Sequence, residues 1–186
     1  MKYGQAEMDF QKKKKERTMK ILLIFPPQNL EERYSHNVGN VGGFLPPLGL
    51  CYMAAVLEKA EHEVRIMDCP VNDYRINHIL EEVRSFQPEV VCIAAITSLA
   101  EVTKGITVAI KKEFPNTTIM VGGPHATIMP KEVAEQMSVD IVLVEEADGK
   151  IADILADLPR YKEMKIVQCG KVKDLNTLPY PARHLL

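Results

Sequence analysis

The residues best placed to do chemistry are few, and they do not add up to a catalytic centre. Gly122-Gly123-Pro124 follows the apolar run Thr118–Val121. Two glycines at the carboxyl end of a strand let a bulky group approach backbone that a side chain would shield. A plain turn accounts for them equally well. Thr97-Ser98-Leu99 ends the apolar run Val90–Ile96 in a small hydroxylated turn, for which helix capping by Thr97 or Ser98 is the simpler reading. Cys51, Cys69, Cys92 and Cys169 lie far apart in sequence. They offer neither a C-x-x-C pair nor the C-x-x-x-C-x-x-C triplet that holds a radical-generating iron–sulfur cluster. They read as reduced, mostly buried thiols of a cytoplasmic protein.

Glycines also cluster as Gly39, Gly42 and Gly43, inside a long connection from Pro26 to Phe44. A dinucleotide site would need G-x-G-x-x-G turning directly from strand into helix, so that free amides meet the pyrophosphate. These glycines fall many residues past the strand, and Pro46-Pro47 removes two amide donors. A phosphorelay receiver would need an acidic cluster after the first strand and an Asp after the third. Phe25-Pro26-Pro27 and Ala95-Ile96-Thr97-Ser98 supply neither. A flavodoxin proper would need a hydroxyl- and Gly-rich phosphate loop directly after strand one, also missing. A connection of this length in a compact domain is functional or mobile.

The elements that must position these loops alternate strand and helix along the chain. Ile21–Phe25, Val90–Ile96, Thr118–Val121 and Ile141–Val144 are apolar runs of strand length. Val64 and Ile66 mark a short strand nearer the sheet edge, and Lys165–Gln168 adds a sixth. Helical stripes run through Leu50, Met53, Ala54 and Leu57; through Ile76, Ile79, Leu80, Val83 and Phe86; and through Val102, Ile106, Ala109 and Ile110. Val133 and Met137 mark a short helix, and Ile151, Ile154, Leu155 and Leu158 a last one. Strands apolar throughout, separated by helices, imply an α/β doubly wound sheet of five or six mostly parallel strands, joined by right-handed crossovers. Its ligand crevice lies outside the carboxyl ends of the strands.

Bulk properties agree with one domain of 186 residues, 46% hydrophobic and 26% charged, with a net charge of -2. The only basic run is Lys12–Lys15 with Arg17, in a polar tail over 1–18 that reads as a disordered leader. Nucleic acid is therefore excluded as a partner, and the longest apolar runs are too short to span a membrane.

Taken in order, Phe25-Pro26-Pro27, Pro46-Pro47-Leu48-Gly49-Leu50, Thr97-Ser98-Leu99, Val121-Gly122-Gly123-Pro124-His125-Ala126-Thr127 and Leu178-Pro179-Tyr180-Pro181-Ala182-Arg183 resemble the cobalamin-binding domain of cobalamin-dependent radical SAM enzymes. That group includes the anaerobic magnesium-protoporphyrin monomethyl ester cyclases and many methyltransferases. The resemblance implies a flavodoxin-like (Rossmann-like) cobalamin-binding domain over 19–170. Residues 171–186 would then be a linker toward a radical SAM domain, in cis or trans, that carries the 4Fe-4S cluster and S-adenosylmethionine. On this view the chain is a fragment or one part of a split enzyme; the alternatives are a ligand-free α/β docking scaffold or a stand-alone corrinoid carrier. The corrin would rest on the carboxyl edge with its nucleotide tail entering beside the third and fourth strands. Thr97, Ser98, Leu99, Gly122, Gly123, Pro124, His125 and Glu146 are then the cofactor-binding candidates. Ser98 could hydrogen-bond a tail nitrogen. His125 is either a corrin-edge contact or a turn histidine bonded to backbone.

Two departures from the pattern stand out. Stand-alone corrinoid carriers use D-x-H-x-x-G, whose His ligates cobalt from below. His36 and Gly39 keep only H-x-x-G, with Tyr34 where the Asp belongs. His36 is the candidate cobalt ligand, but the missing Asp favours base-off binding without it. The family's G-E-G-E after the fifth strand is here Glu145-Glu146-Ala147-Asp148, which keeps the acids and loses both glycines.

Overall fold

Continuous apolar runs become strands buried on both faces. The structure, a computed structural model, describes residues 17–28 and 44–186. Six strands, β1 (Lys20–Phe25), β2 (Glu63–Asp68), β3 (Val90–Ala94), β4 (Thr118–Gly122), β5 (Ile141–Glu145) and β6 (Ile166–Gly170), form one sheet in the order β2-β1-β3-β4-β5-β6. Every pairing is parallel. Ile21, Leu22, Leu23 and Ile24 are all fully buried, because successive side chains of β1 enter opposite cores.

Seven helices cover the sheet among the described residues: α1 (Leu48–Lys59), α2 (Ile76–Phe86), α3 (Ala100–Glu113), α4 (Pro124–Ile128), α5 (Pro130–Gln136), α6 (Ile151–Ala156) and α7 (Leu158–Met164). Leu50, Ala54 and Leu57 of α1 share one core with Ile151 and Ile154 of α6 and Tyr161 of α7. Ile79 and Val83 of α2, Ile106 and Ile110 of α3 and Val133 of α5 fill the other. Helix α2 stops at Gln87, whose φ of 53° is left-handed, one residue before Pro88. Arg65 on the edge strand closes over α2, its guanidinium 4.2 Å from the Phe86 ring centre and 2.8 Å from Glu82 Oε1.

The doubly wound parallel sheet is as expected, with four differences in detail. Val102 and Ile76 are exposed: the buried stripe of α3 is Thr103, Ile106, Thr107 and Ile110, one step round the helix. The last helix is two, because Asp157 leaves helical geometry ahead of Pro159 and Leu158 opens α7 instead of closing α6. Gly123-Pro124 leads straight into α4, with proline in its first turn. Lastly, one crossover has the other hand. Over the same face, β1-α1-β2 steps toward one edge of the sheet and β5-α6-α7-β6 toward the other. The final connection is thus left-handed, against the rule the earlier ones obey.

Residues 171–186, expected as a linker, pack back on α1. Ala182 is buried and donates its N–H to Cys51 O at 2.9 Å, while His184 Nε2 lies 3.0 Å from Glu58 Oε1. All four cysteines are free, and Cys51, Cys69 and Cys92 are buried. Residues 1–16 of the polar tail, and the loop holding Tyr34, His36, Gly39, Gly42 and Gly43, lie outside the described residues.

Candidate functional site

A cavity of about 300 Å³ opens at the carboxyl ends of β3, β4 and β5, beneath the first turns of α1. That is the lower end of the roughly 300–1,000 Å³ range of small-molecule pockets. Pro47 starts α1 with φ already near −74°, and Leu48, Gly49, Leu50 and, one turn on, Met53 form one wall. Cys92, Ile93 and Ala94 of β3 and Leu143 of β5 make the floor. Gly122, Gly123 and Pro124 close one end; Glu145, Glu146, Ala147 and Asp148 form the other side. Among the described residues, no lysine, arginine or histidine lines it.

Sequence reasoning found part of this wall. Gly122, Gly123, Pro124 and Glu146 line the cavity, whereas Thr97, Ser98, Leu99 and His125 do not. Thr97 and Ser98 sit exposed in a 3-10 turn over 97–99, and neither caps a helix; Leu99 is buried. His125 is 5% exposed, and both ring nitrogens lack a hydrogen-bond partner, so it is not bonded to backbone through its side chain. Its own N–H donates to Ala95 O at 3.0 Å. Among the residues missed are Gly49, Met53, Ala94, Leu143 and Asp148. Of these, Gly49 carried a signal: a glycine in the first turn of a helix that has no conformational need of one.

The small residues differ in why they are small. Gly123 has φ 104° and ψ −173°, and a Cβ there would meet Ala95 O at 2.9 Å. Ala95 N–H also donates to Gly122 O at 2.7 Å, so the ends of β3 and β4 are stapled together. Gly123 is thus required by the backbone, whatever else it does. A Cβ on Gly49 would meet nothing within 4 Å. That position is open space.

On the acidic side, Glu145 takes φ 68° where the family pattern has glycine, and its N–H donates to Thr127 Oγ1 at 3.0 Å. A left-handed non-glycine residue is strained. Glu145→Gly should therefore stabilise the domain by about 1 kcal/mol, a rise of roughly 2–4 °C in melting temperature for a chain this size. A lower melting temperature would show that the glutamate itself stabilises the turn. Glu146 Oε2 accepts the Val172 N–H at 2.7 Å and so braces the chain after β6. Burial holds the Asp148 carboxyl above its ordinary range; its own backbone N–H opposes this and Glu146 adds to it. Burial likewise pushes the Cys92 thiol in the floor up to about 12, so it is neutral and no ready ligand or nucleophile. Among the described residues no three His, Cys, Asp or Glu side chains are grouped to hold a metal ion. None of the described helices is long and apolar enough to cross a membrane.

Fold and site together define a doubly wound parallel domain with an apolar-walled cavity at its carboxyl edge. The B12 binding domain family matches residues 34–155, well over half of the chain, and the chain belongs to that family. It is similar to the uncharacterized methyltransferase PH0819 of Pyrococcus horikoshii, 29% identical over 91% of this chain and 39% of that protein. It also resembles the anaerobic magnesium-protoporphyrin IX monomethyl ester cyclase of Cereibacter sphaeroides, 24% identical over 74% of this chain and 22% of that one. The chain thus spans about two-fifths or less of these relatives. Among solved structures, the cobalamin-dependent S-adenosylmethionine radical enzyme OxsB with aqua-cobalamin bound superposes with a TM-score of 0.69. That match covers 89% of this chain and 24% of OxsB at 16% identity, so the likeness is one of fold.

Proposed function

We propose that this domain holds cobalamin base-off, with the nucleotide tail in the carboxyl-edge cavity and the corrin over the strand ends. The observation that carries the reading is the cavity itself: about 300 Å³, open, walled by apolar side chains and by Gly49, Ala94, Gly122 and Gly123. A dimethylbenzimidazole ring is about the size of a tryptophan side chain. Burying ~200 Å² of it contributes about 5 kcal/mol, or three to four decades of affinity. Leu48, Leu50, Met53 and Leu143 supply the apolar contact, and the glycines let the ring reach the backbone. Thr97 and Ser98, exposed beyond β3, remain free to meet the corrin's amide side chains. Bound cobalamin would supply methyl or electron transfer at cobalt, and this chain binds and orients it. The 4Fe-4S cluster and S-adenosylmethionine belong on this reading to a radical SAM domain, in cis or trans, in a cytoplasmic enzyme.

Titrating the purified chain with hydroxocobalamin tests this. Co-elution at micromolar concentration, with a visible spectrum shifted to the base-off form, is the expected result. Failure of cobalamin to co-elute would overturn it.

A further inference from the structure

The tail nitrogen freed from cobalt needs a hydrogen-bond partner once buried. Ser98, the side chain expected to provide one, is exposed and off the cavity wall. The α1 wall and the floor offer leucines, methionine, proline, small residues and the Cys92 thiol. Among the described residues, the remaining polar side chains on the wall are carboxylic acids: Glu145, Glu146 and Asp148.

These three are not equivalent. Glu146 is engaged with the Val172 N–H, and Glu145 is exposed. Asp148 is partly buried, and its Oδ1 is covered yet has no hydrogen-bond partner. A buried polar atom left unmatched costs about 1–3 kcal/mol, which a ligand can relieve by providing the partner. The terminal torsion of an aspartate is soft, so the carboxyl can turn toward a group that enters the cavity. Lys150, just after this loop, donates its Nζ to Gln168 O at 3.1 Å on β6. With no cation among the described residues of the wall, this part of the cavity favours the ring end of the tail over its phosphate.

We propose that Asp148 is the specificity-determining residue of the pocket, its carboxyl hydrogen-bonding the ring nitrogen of the tail base. This rests on the cobalamin reading and extends it: the pocket selects corrinoids whose tail ends in a nitrogen heteroaromatic over tail-less ones or those ending in a phenol. Burial keeps Asp148 protonated to higher pH than a free carboxyl, which is the form the bond requires. Among the described residues, the charged or titratable groups around it are Glu145 at the end of β5, Glu146 just after it, Lys150 leading into α6 and Cys169 on β6; the α1 residues that line the cavity carry none.

The test compares hydroxocobalamin with cobinamide, which has the corrin but no base, on the wild-type chain and on Asp148→Leu and Asp148→Asn. Asp148→Leu should weaken cobalamin binding about tenfold, the worth of one such bond, and leave cobinamide binding unchanged. Retained cobinamide binding also reports that the variant is folded. Asp148→Asn keeps a donor and should hold cobalamin nearly as tightly as wild type, with affinity flat in pH. Wild-type affinity for cobalamin should fall as pH rises through the raised Asp148 value, while that for cobinamide stays level. Equal loss of both ligands in Asp148→Leu, no loss of either, or the same pH profile in Asp148→Asn overturns the assignment. Binding of neither ligand by the wild type overturns the cobalamin reading itself.

Discussion

Gly49→Phe should abolish cobalamin retention in a domain that stays folded and melts no lower than wild type. Gly49 lies in the first turn of α1, on the face it shares with Met53, and lines the cavity. A side chain added there starts in open space, so it strains nothing. It also replaces the residue least suited to a helix after proline, a change worth up to about 1 kcal/mol in favour of folding. A benzyl group takes up much of a cavity of about 300 Å³ and competes for the place of the tail ring. Loss of most of the tail's apolar burial should cost two or more of the three to four decades estimated above, roughly a hundredfold in affinity. Gly49→Ala is the control, binding as wild type with equal or higher thermal stability. The measurements are the visible spectrum during hydroxocobalamin titration and a thermal melt of each variant. Undiminished cobalamin affinity in a folded Gly49→Phe protein would remove this cavity as the tail site.

Gly123→Ala should have the opposite character, a large loss of stability from one methyl group. The backbone there, φ 104° and ψ −173°, lies in a region essentially reserved for glycine. The new Cβ would sit 2.9 Å from Ala95 O, which is backbone already committed to the His125 N–H, and cannot yield as a side-chain end would. Strain and clash together should cost about 3 kcal/mol or more, a substantial part of the stability of a single domain. Chemical denaturation would show it as a lowered midpoint with unchanged slope. At Gly122 the backbone is not left-handed and the nearest neighbour is Leu143 Cβ at 3.3 Å, which must give by only a few tenths of an ångström, so Gly122→Ala should be milder. A Gly123→Ala protein as stable as wild type would mean the loop has another conformation. The contrast also fixes how pocket variants are read: a bulky residue at 49 reports on the cavity, one at 123 reports on the fold.

The sheet was legible because its signal is long and redundant. Val90–Ala94 and Ile141–Val144 are buried on both faces, and only a covered parallel sheet asks that of consecutive residues. Gly123, just after β4, was legible for a similar reason, since φ above 100° leaves few other residues. What escaped depends on angles that a linear pattern does not carry. Val102 and Thr103 are both β-branched, and which one faces the core is settled by where Leu99 places the start of α3. Asp148 looked like the tail of a loop motif, because its burial comes from Ala147 packing into the α1 core. Ser98 looked right in chemistry and spacing, but the 3-10 turn carries it away from the wall. The hand of the last crossover is a property of three-dimensional order that no single segment encodes.

That reversed hand shapes how the domain can be loaded. By returning over the α1 side, the chain lays α6 against α1 and sets Glu146, Ala147 and Asp148 across the cavity from α1, its mouth at the strand ends. A ligand with a head too wide for the mouth can only be plugged in tip first and must be drawn out the same way. Residence time is then governed by the part that is hidden, while the exposed head is left presented, face outward, to whatever must react with it.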